Sequence, residues 1–237
     1  MRLLITRPEP DAARTAATLQ TRGHQTLVAP LLHTEPTDTR FGLGPYAGVL
    51  ATSANALRAV ARHHRRDEIL GLILVTVGQR TAAAGRDIGF REVRSADGDA
   101  RDLAALAAAT FRGTTRQLLY LAGEDQAADI AGLMARHGIK VRTAITYRTV
   151  PVDTLPDAAV TALREERIDG VLHYSRRTAE TYLQCADRAD IRRDAMAPIH
   201  FCLSREIAAA IQAGGAFDLR VADRPDETSL FRLLDEA

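Results

Sequence analysis

The sequence predicts an α/β protein built as two doubly wound parallel-sheet lobes. Three observations carry that reading: an internal repeat, an alternation of β-like runs with amphipathic helical windows, and two irregular segments where the chain changes lobe. In the repeat, Leu3-Leu4-Ile5-Thr6-Arg7-Pro8-Glu9-Pro10-Asp11-Ala12-Ala13, running on to Gly23, matches Leu118-Leu119-Tyr120-Leu121-Ala122-Gly123-Glu124-Asp125-Gln126-Ala127-Ala128, running on to Gly138. A second block, Gly48 to Ala56, is answered by Gly170 to Ala179 after one inserted residue, and Gly78 to Ala84 by Ser204 to Ala210. The two halves break near Arg116.

Along the chain, short apolar runs rich in Leu, Val and Ile centre strands on Leu4, Leu27, Val49, Val75, Val93, Leu119, Val141, Val171, Phe201 and Leu219. Between them, helical periodicity predicts helices over 11–22, 54–65, 81–87, 102–111, 126–137, 156–167, 176–187, 205–213 and 227–236. Gly23, Gly89 and Gly138 follow three of these helices, where a left-handed residue stops a helix. Ten strands divide naturally into two five-stranded sheets. The irregular segments are 30–45, with Pro36, Gly42, Gly44 and Pro45, and 147–156, with Pro151 at its centre. If the chain crosses at both, residues 1–33 and 153–237 form one discontinuous lobe, 34–45 and 147–152 connect, and 46–146 form an inserted second lobe.

Composition narrows the function classes. Lys plus Arg number 31 against 30 Asp plus Glu, and a net charge of +1 gives no field for drawing in nucleic acid. The longest apolar runs, such as 72–77, fall far short of the ~20 residues that a membrane span needs. Charge returns after Ile5, before the apolar core of an export signal could form, and Cys185 and Cys202 make no Cys-x-x-Cys pattern. Reduced thiols and a cytoplasmic location are expected.

Ligands of open parallel sheets gather outside the carboxyl ends of strands, where helix N-termini offer free N–H groups. Polar clusters recur at those places: Arg7 after Thr6, the run Thr52-Ser53-Ala54-Asn55, then Gly78, Arg80 and Thr81, then Gly123 and Glu124, then Ser175, Arg176 and Arg177, and finally Ser204 and Arg205. Each by itself reads first as an ordinary helix cap, but their recurrence in both lobes points to a ligand rich in carboxylates or phosphates. No Walker, dinucleotide or Gly-x-Ser-x-Gly signature is present, the histidines have no zinc-ligand spacing, and His63-His64 reads as an exposed helix end. Neither a metal nor a nucleotide cofactor is expected from these patterns. Tyr147 ends a strand that borders the crossing segment, and its phenol is the candidate proton donor; the alternative is a packed boundary tyrosine.

Taken together, Ile5-Thr6-Arg7-Pro8, Thr52-Ser53-Ala54-Asn55-Ala56, Val77-Gly78-Gln79-Arg80-Thr81-Ala82, Leu121-Ala122-Gly123-Glu124-Asp125 and the strand ending in Tyr147 resemble the uroporphyrinogen-III synthase family over nearly the whole chain. The commoner family pattern has Ser-Pro where this chain has Ser175-Arg176 and Gly-Pro-Thr-Thr where Ser204-Arg205-Glu206-Ile207 stands. The resemblance implies two flavodoxin-like lobes joined by a two-stranded connector. It also implies a cofactor-free lyase that cyclises hydroxymethylbilane with loss of water and inversion of ring D, with a tyrosine placed as Tyr147 near the departing hydroxyl. A monomer acting on that small molecule, with no nucleic-acid or membrane partner, is expected. The competing reading is a non-catalytic two-lobed sensor for a small polycarboxylate.

Overall fold

The computed structural model of the chain describes residues 1–236. In chain order, the elements begin with β1 (Arg2–Ile5), α1 (Asp11–Thr21), β2 (Gln25–Val28), β3 (Leu32–Pro36), β4 (Gly48–Ala51), α2 (Ala54–Val60), α3 (Asp67–Leu70), β5 (Ile73–Thr76), α4 (Gln79–Asp87), β6 (Glu92–Ser95) and α5 (Ala100–Thr110). They continue with β7 (Leu118–Gly123), α6 (Ile130–Ala135), β8 (Val141–Pro151), α7 (Asp157–Arg164), β9 (Gly170–His173), α8 (Arg176–Arg188), α9 (Arg192–Met196), β10 (Ile199–Cys202), α10 (Arg205–Ala213), β11 (Leu219–Val221) and α11 (Glu227–Asp235). The chain divides into two compact units, one made of Met1–His33 with the chain from Val150 onward, the other of Thr34–Thr149.

The first unit holds a sheet in the order β11-β10-β9-β1-β2, and its strands are parallel. Counted along the chain that is 2-1-3-4-5 read from the β2 edge, the doubly wound order whose direction reverses between β1 and β9. Residues of β1 alternate between two apolar layers. Leu4 joins Val171 and Tyr182 on one face, while Leu3 and Ile5 join Leu172, Phe201 and Leu230 on the other. Inside the first layer, His173 and His200 are fully buried and share a hydrogen bond of 3.0 Å between Nε2 and Nδ1.

The second unit holds the order β3-β8-β7-β4-β5-β6, with β8, β7, β4, β5 and β6 parallel to their neighbours. Direction reverses here between β4, the first strand of the inserted chain apart from the edge strand β3, and β7. All six residues of β7 and all four of β4 are buried, because helices cover both faces of these central strands. The repeated glycines Gly48 and Gly170 have a packing reason. A Cβ on the first would lie 2.1 Å from the Phe111 ring, and on the second 2.6 Å from the Phe201 ring.

All ten strand positions read from the sequence carry strands, and β3 is an eleventh, inside the segment read as irregular. It makes the second sheet six-stranded. The expected helix over 54–65 stops at Val60 and a separate turn of helix follows from Asp67. His63 explains the break: its ring stacks on Phe41 at 4.1 Å and its Nε2 lies 2.9 Å from the Thr39 carbonyl, so it is tied inward and is not an exposed helix end. The expected helix over 126–137 starts only at Ile130, capped by Asp129, whose carboxylate accepts the Gly132 N–H at 2.8 Å.

Candidate functional site

In the second unit, β4 leads into Thr52 and Ser53, and strand alternation sends these neighbouring hydroxyls to opposite faces of the sheet. Each meets a tyrosine. Thr52 Oγ1 lies 2.8 Å from the phenol oxygen of Tyr120 on β7, and the Tyr147 phenol on β8 donates to Ser53 Oγ at 3.2 Å. Ser53 Oγ also accepts the Asn55 N–H at 3.1 Å as the N-cap of α2. With two bonds accepted, its lone pairs are committed and its own proton is the part left to give to a ligand. Tyr120 is almost wholly buried, and that burial raises its pKa above the ordinary phenol value, against the bond from Thr52.

Gly123 explains how Tyr147 reaches this position. The register between β7 and β8 slips at Ala122/Gly123, a bulge that pairs Gly123 with Tyr147 and re-aims the ring. A Cβ on Gly123 would lie 2.6 Å from Tyr147 Cζ and 2.8 Å from its oxygen, so only glycine leaves the ring its space. Glu124 follows with its N–H donated to the Tyr147 carbonyl at 2.9 Å and its side chain exposed. Helix α6 does not begin until Ile130, so Gly123 and Glu124 do not stand at a helix start as the sequence reading expected. Ser53, Asn55, Gly123 and Tyr147 are therefore one constellation at the reversal point of the sheet, and Thr52 stands with Tyr120 on the opposite face.

At the end of β5, Gly78 caps α4 with no side-chain bond, leaving its first-turn N–H groups to solvent or ligand. Arg80 is exposed beside it. Thr81, expected at the ligand surface, is 5% exposed and belongs to the buried side of α4.

The first unit gathers its candidates at the carboxyl ends of β1, β9 and β10. Ser175 caps α8, accepting the Thr178 N–H at 3.1 Å, and Ser204 caps α10, accepting the Ile207 N–H at 3.4 Å. Arg177 and Arg205 are exposed at these two helix starts. Arg176 is already engaged, with Glu180 at 2.7 Å and Glu206 at 3.4 Å, and those hydrogen bonds raise its pKa. Arg7 departs furthest from the expected carboxylate partner. Its guanidinium lies over the Tyr174 ring at 4.1 Å and pairs with Glu227 at 2.6 Å and Asp11 at 3.3 Å. Glu227 Oε1 also accepts from Thr15 at 2.5 Å and Tyr174 at 3.2 Å. Burial, and then the Glu227 charge, push the Tyr174 phenol up. Arg7 is thus a member of an internal polar cluster closed by α11. Tyr120, Tyr174 and Glu227 escaped the sequence reading because a buried tyrosine reads as core and a carboxylate 220 residues from its arginine leaves no spacing signal.

The buried thiols are inert: burial raises the pKa of both, Cys202 to about 12. Among the described residues, no group of three or more His, Cys, Asp or Glu side chains could hold a metal, and no helix is long and apolar enough to cross a membrane.

Comparison with known proteins adds the rest. The family model described as uroporphyrinogen-III synthase HemD matches residues 13–232. A uroporphyrinogen-III synthetase structure from Helicobacter pylori is 15% identical, covers 100% of this chain and 99% of its own, and superposes with a TM-score of 0.61, a likeness of fold. A uroporphyrinogen III synthase variant from Thermus thermophilus is 14% identical over 100% of this chain and 98% of its own, with a TM-score of 0.48. No curated protein sequence matches.

Proposed function

We propose, from the premise that the chain belongs to the uroporphyrinogen-III synthase family, that Tyr147 and the hydroxyls around it carry the dehydration step. The reaction is the lyase step of tetrapyrrole biosynthesis in which linear hydroxymethylbilane loses water and closes, with ring D inverted, to uroporphyrinogen III. The C–O bond of the hydroxymethyl group breaks, the Ser53 proton leaves with the oxygen as water while the phenol proton passes to Ser53 Oγ, and the pyrrole nitrogen's electron pair stabilises the azafulvene cation. The proton released from the closing carbon restores the phenol. Ser53, whose own O–H is still to be spent, holds the phenol in place and offers that proton to the departing oxygen.

The observation that supports this reading is the Tyr147–Ser53 bond of 3.2 Å in a notch that only Gly123 permits. Loss of this hydroxyl is facile, so most of the acceleration is assigned to holding a flexible polycarboxylate in a closing conformation, worth up to ~7–11 kcal/mol. For that task the exposed N–H groups after Gly78 take carboxylate arms, while Ser53, held by the Asn55 N–H, orients the acid. Two reduced, buried cysteines fit a cytoplasmic enzyme, and we assign the activity to the monomer. Freshly prepared hydroxymethylbilane, with isomers I and III resolved chromatographically, tests the reading: isomer III is expected, and a product mixture identical to the enzyme-free control would overturn it.

A further inference from the structure

Next to Tyr147, the second unit contains a cavity of about 300 Å³ lined by Thr34, Pro36, Asn55, Arg58, Arg62 and Tyr147. That is the lower end of the size range for small-molecule clefts, ~300–1,000 Å³. Its charge is one-sided. Two guanidinium groups reach it from α2 and the turn that follows, and no acidic residue lines it. Strand alternation accounts for this: Thr34, Pro36 and Tyr147 share one face, whereas Glu35 and Arg148, the intervening residues, pair with each other at 2.9 Å on the opposite face. Arg58 donates one bond to Asn55 Oδ1 at 2.7 Å, which orients the guanidinium and leaves its other N–H groups to spend. Arg62 has no hydrogen-bond or ion-pair partner among the described residues.

We infer that Arg58 and Arg62 form a dicarboxylate subsite for the pyrrole that bears the departing hydroxyl, an assignment that rests on the acid role of Tyr147. A pyrrole carrying two short carboxylate arms presents one plane and two anions, which matches two guanidinium forks on one wall with a phenol at the end. Clamping both arms fixes which terminal ring of the linear tetrapyrrole meets Tyr147, so the pair sets orientation as well as affinity. The side chains are exposed and outside the packed core, so their removal leaves folding intact.

The test uses uroporphyrin III, an octacarboxylate, titrated by fluorescence into the full-length protein, with its octamethyl ester as the uncharged control. Arg62→Ala and Arg58→Ala should each weaken uroporphyrin binding roughly 5- to 20-fold, Arg62→Glu more, with melting temperature unchanged. With hydroxymethylbilane, KM should rise while kcat stays within a few-fold of the parent, and the share of isomer I should grow. Unchanged affinity and KM in the Arg58→Ala/Arg62→Ala double variant, or equal binding of the ester, would overturn the subsite. A parent that makes no isomer III yet binds uroporphyrin in an Arg62-dependent way would overturn the proposed reaction and leave the subsite standing.

Discussion

Gly123→Ala is a one-methyl substitution aimed at the placement of Tyr147. The new Cβ would lie 2.6 Å from Tyr147 Cζ, 2.8 Å from its oxygen and 2.9 Å from Cε1. Ordinary contact between carbons is ~3.5–4.0 Å, so the ring must retreat by about 1 Å. A retreat on that scale takes the 3.2 Å bond to Ser53 outside hydrogen-bond range. Overpacking of this kind costs ~1–3 kcal/mol, and each kcal/mol lowers the melting temperature of a chain this size by roughly 2–4 °C. Misplacing a reacting group by ~1 Å costs on the order of 100-fold in rate. Melting and single-turnover cyclisation of hydroxymethylbilane read the two effects separately. Tyr147→Ala removes the obstacle, so adding Gly123→Ala to it should cause no further loss of stability or rate. A Gly123→Ala enzyme with parental rate and melting temperature would refute the reasoning, because the ring could not then occupy the notch.

Tyr147→Phe keeps the packing and deletes the donor, so the melting temperature should hold while the rate falls toward the lower end of the ~100- to 10,000-fold range of acid catalysis; a parental single-turnover rate would withdraw the acid role. Glu227→Ala removes the shared acceptor of Arg7, Thr15 and Tyr174, and a loss of ~1–2 kcal/mol is expected after allowing for partial exposure; an unchanged denaturation midpoint would mean the cluster contributes nothing. Burial holds His173 and His200 below the usual histidine value, His200 at about 4. The unfolded chain therefore binds more protons between about pH 6.5 and 4, so stability is intact above ~6.5 and falls through that window. His200 alone accounts for roughly 3 kcal/mol by the lower end, at ~1.4 kcal/mol per pH unit, and urea midpoints that stay flat from pH 7 to 4.5 would contradict this.

Strand positions were legible in the sequence because each central strand is a short, doubly covered apolar run bounded by turn residues, as in Val49 to Ala51 and Val171 to Leu172. β3 was not, since Leu32–Pro36 alternates weakly and its place is fixed by lying beside β8, a partner more than 100 residues away. The break after Val60 was equally hidden, for the sequence continues with good helix formers and only the tie from His63 to Phe41 and Thr39 stops it. At the site, Ser53, Ser175 and Ser204 were readable as caps from local chemistry alone. What Arg7 does was not, because the carboxylate that neutralises it arrives from α11.

The pairing of β1 with β9 has a consequence for how the chain acquires its structure. Leu3, Leu4 and Ile5 find one flank on Thr26 to Val28 nearby, but the other only on Gly170 to Leu172. During synthesis the whole of Thr34–Thr149 emerges first, and every strand of its sheet is complete before β9 is made. The β1–β2 ribbon must wait, with an apolar edge open, until residues 167 positions later appear, and a two-stranded ribbon is marginal by itself. Closing that sheet carries the loop entropy of the inserted unit, which is smaller once the insertion has already compacted. The inserted unit is thus expected to act as a folded spacer that brings the waiting edge and its late partner together, and slow, chaperone-sensitive assembly should be concentrated in the discontinuous unit.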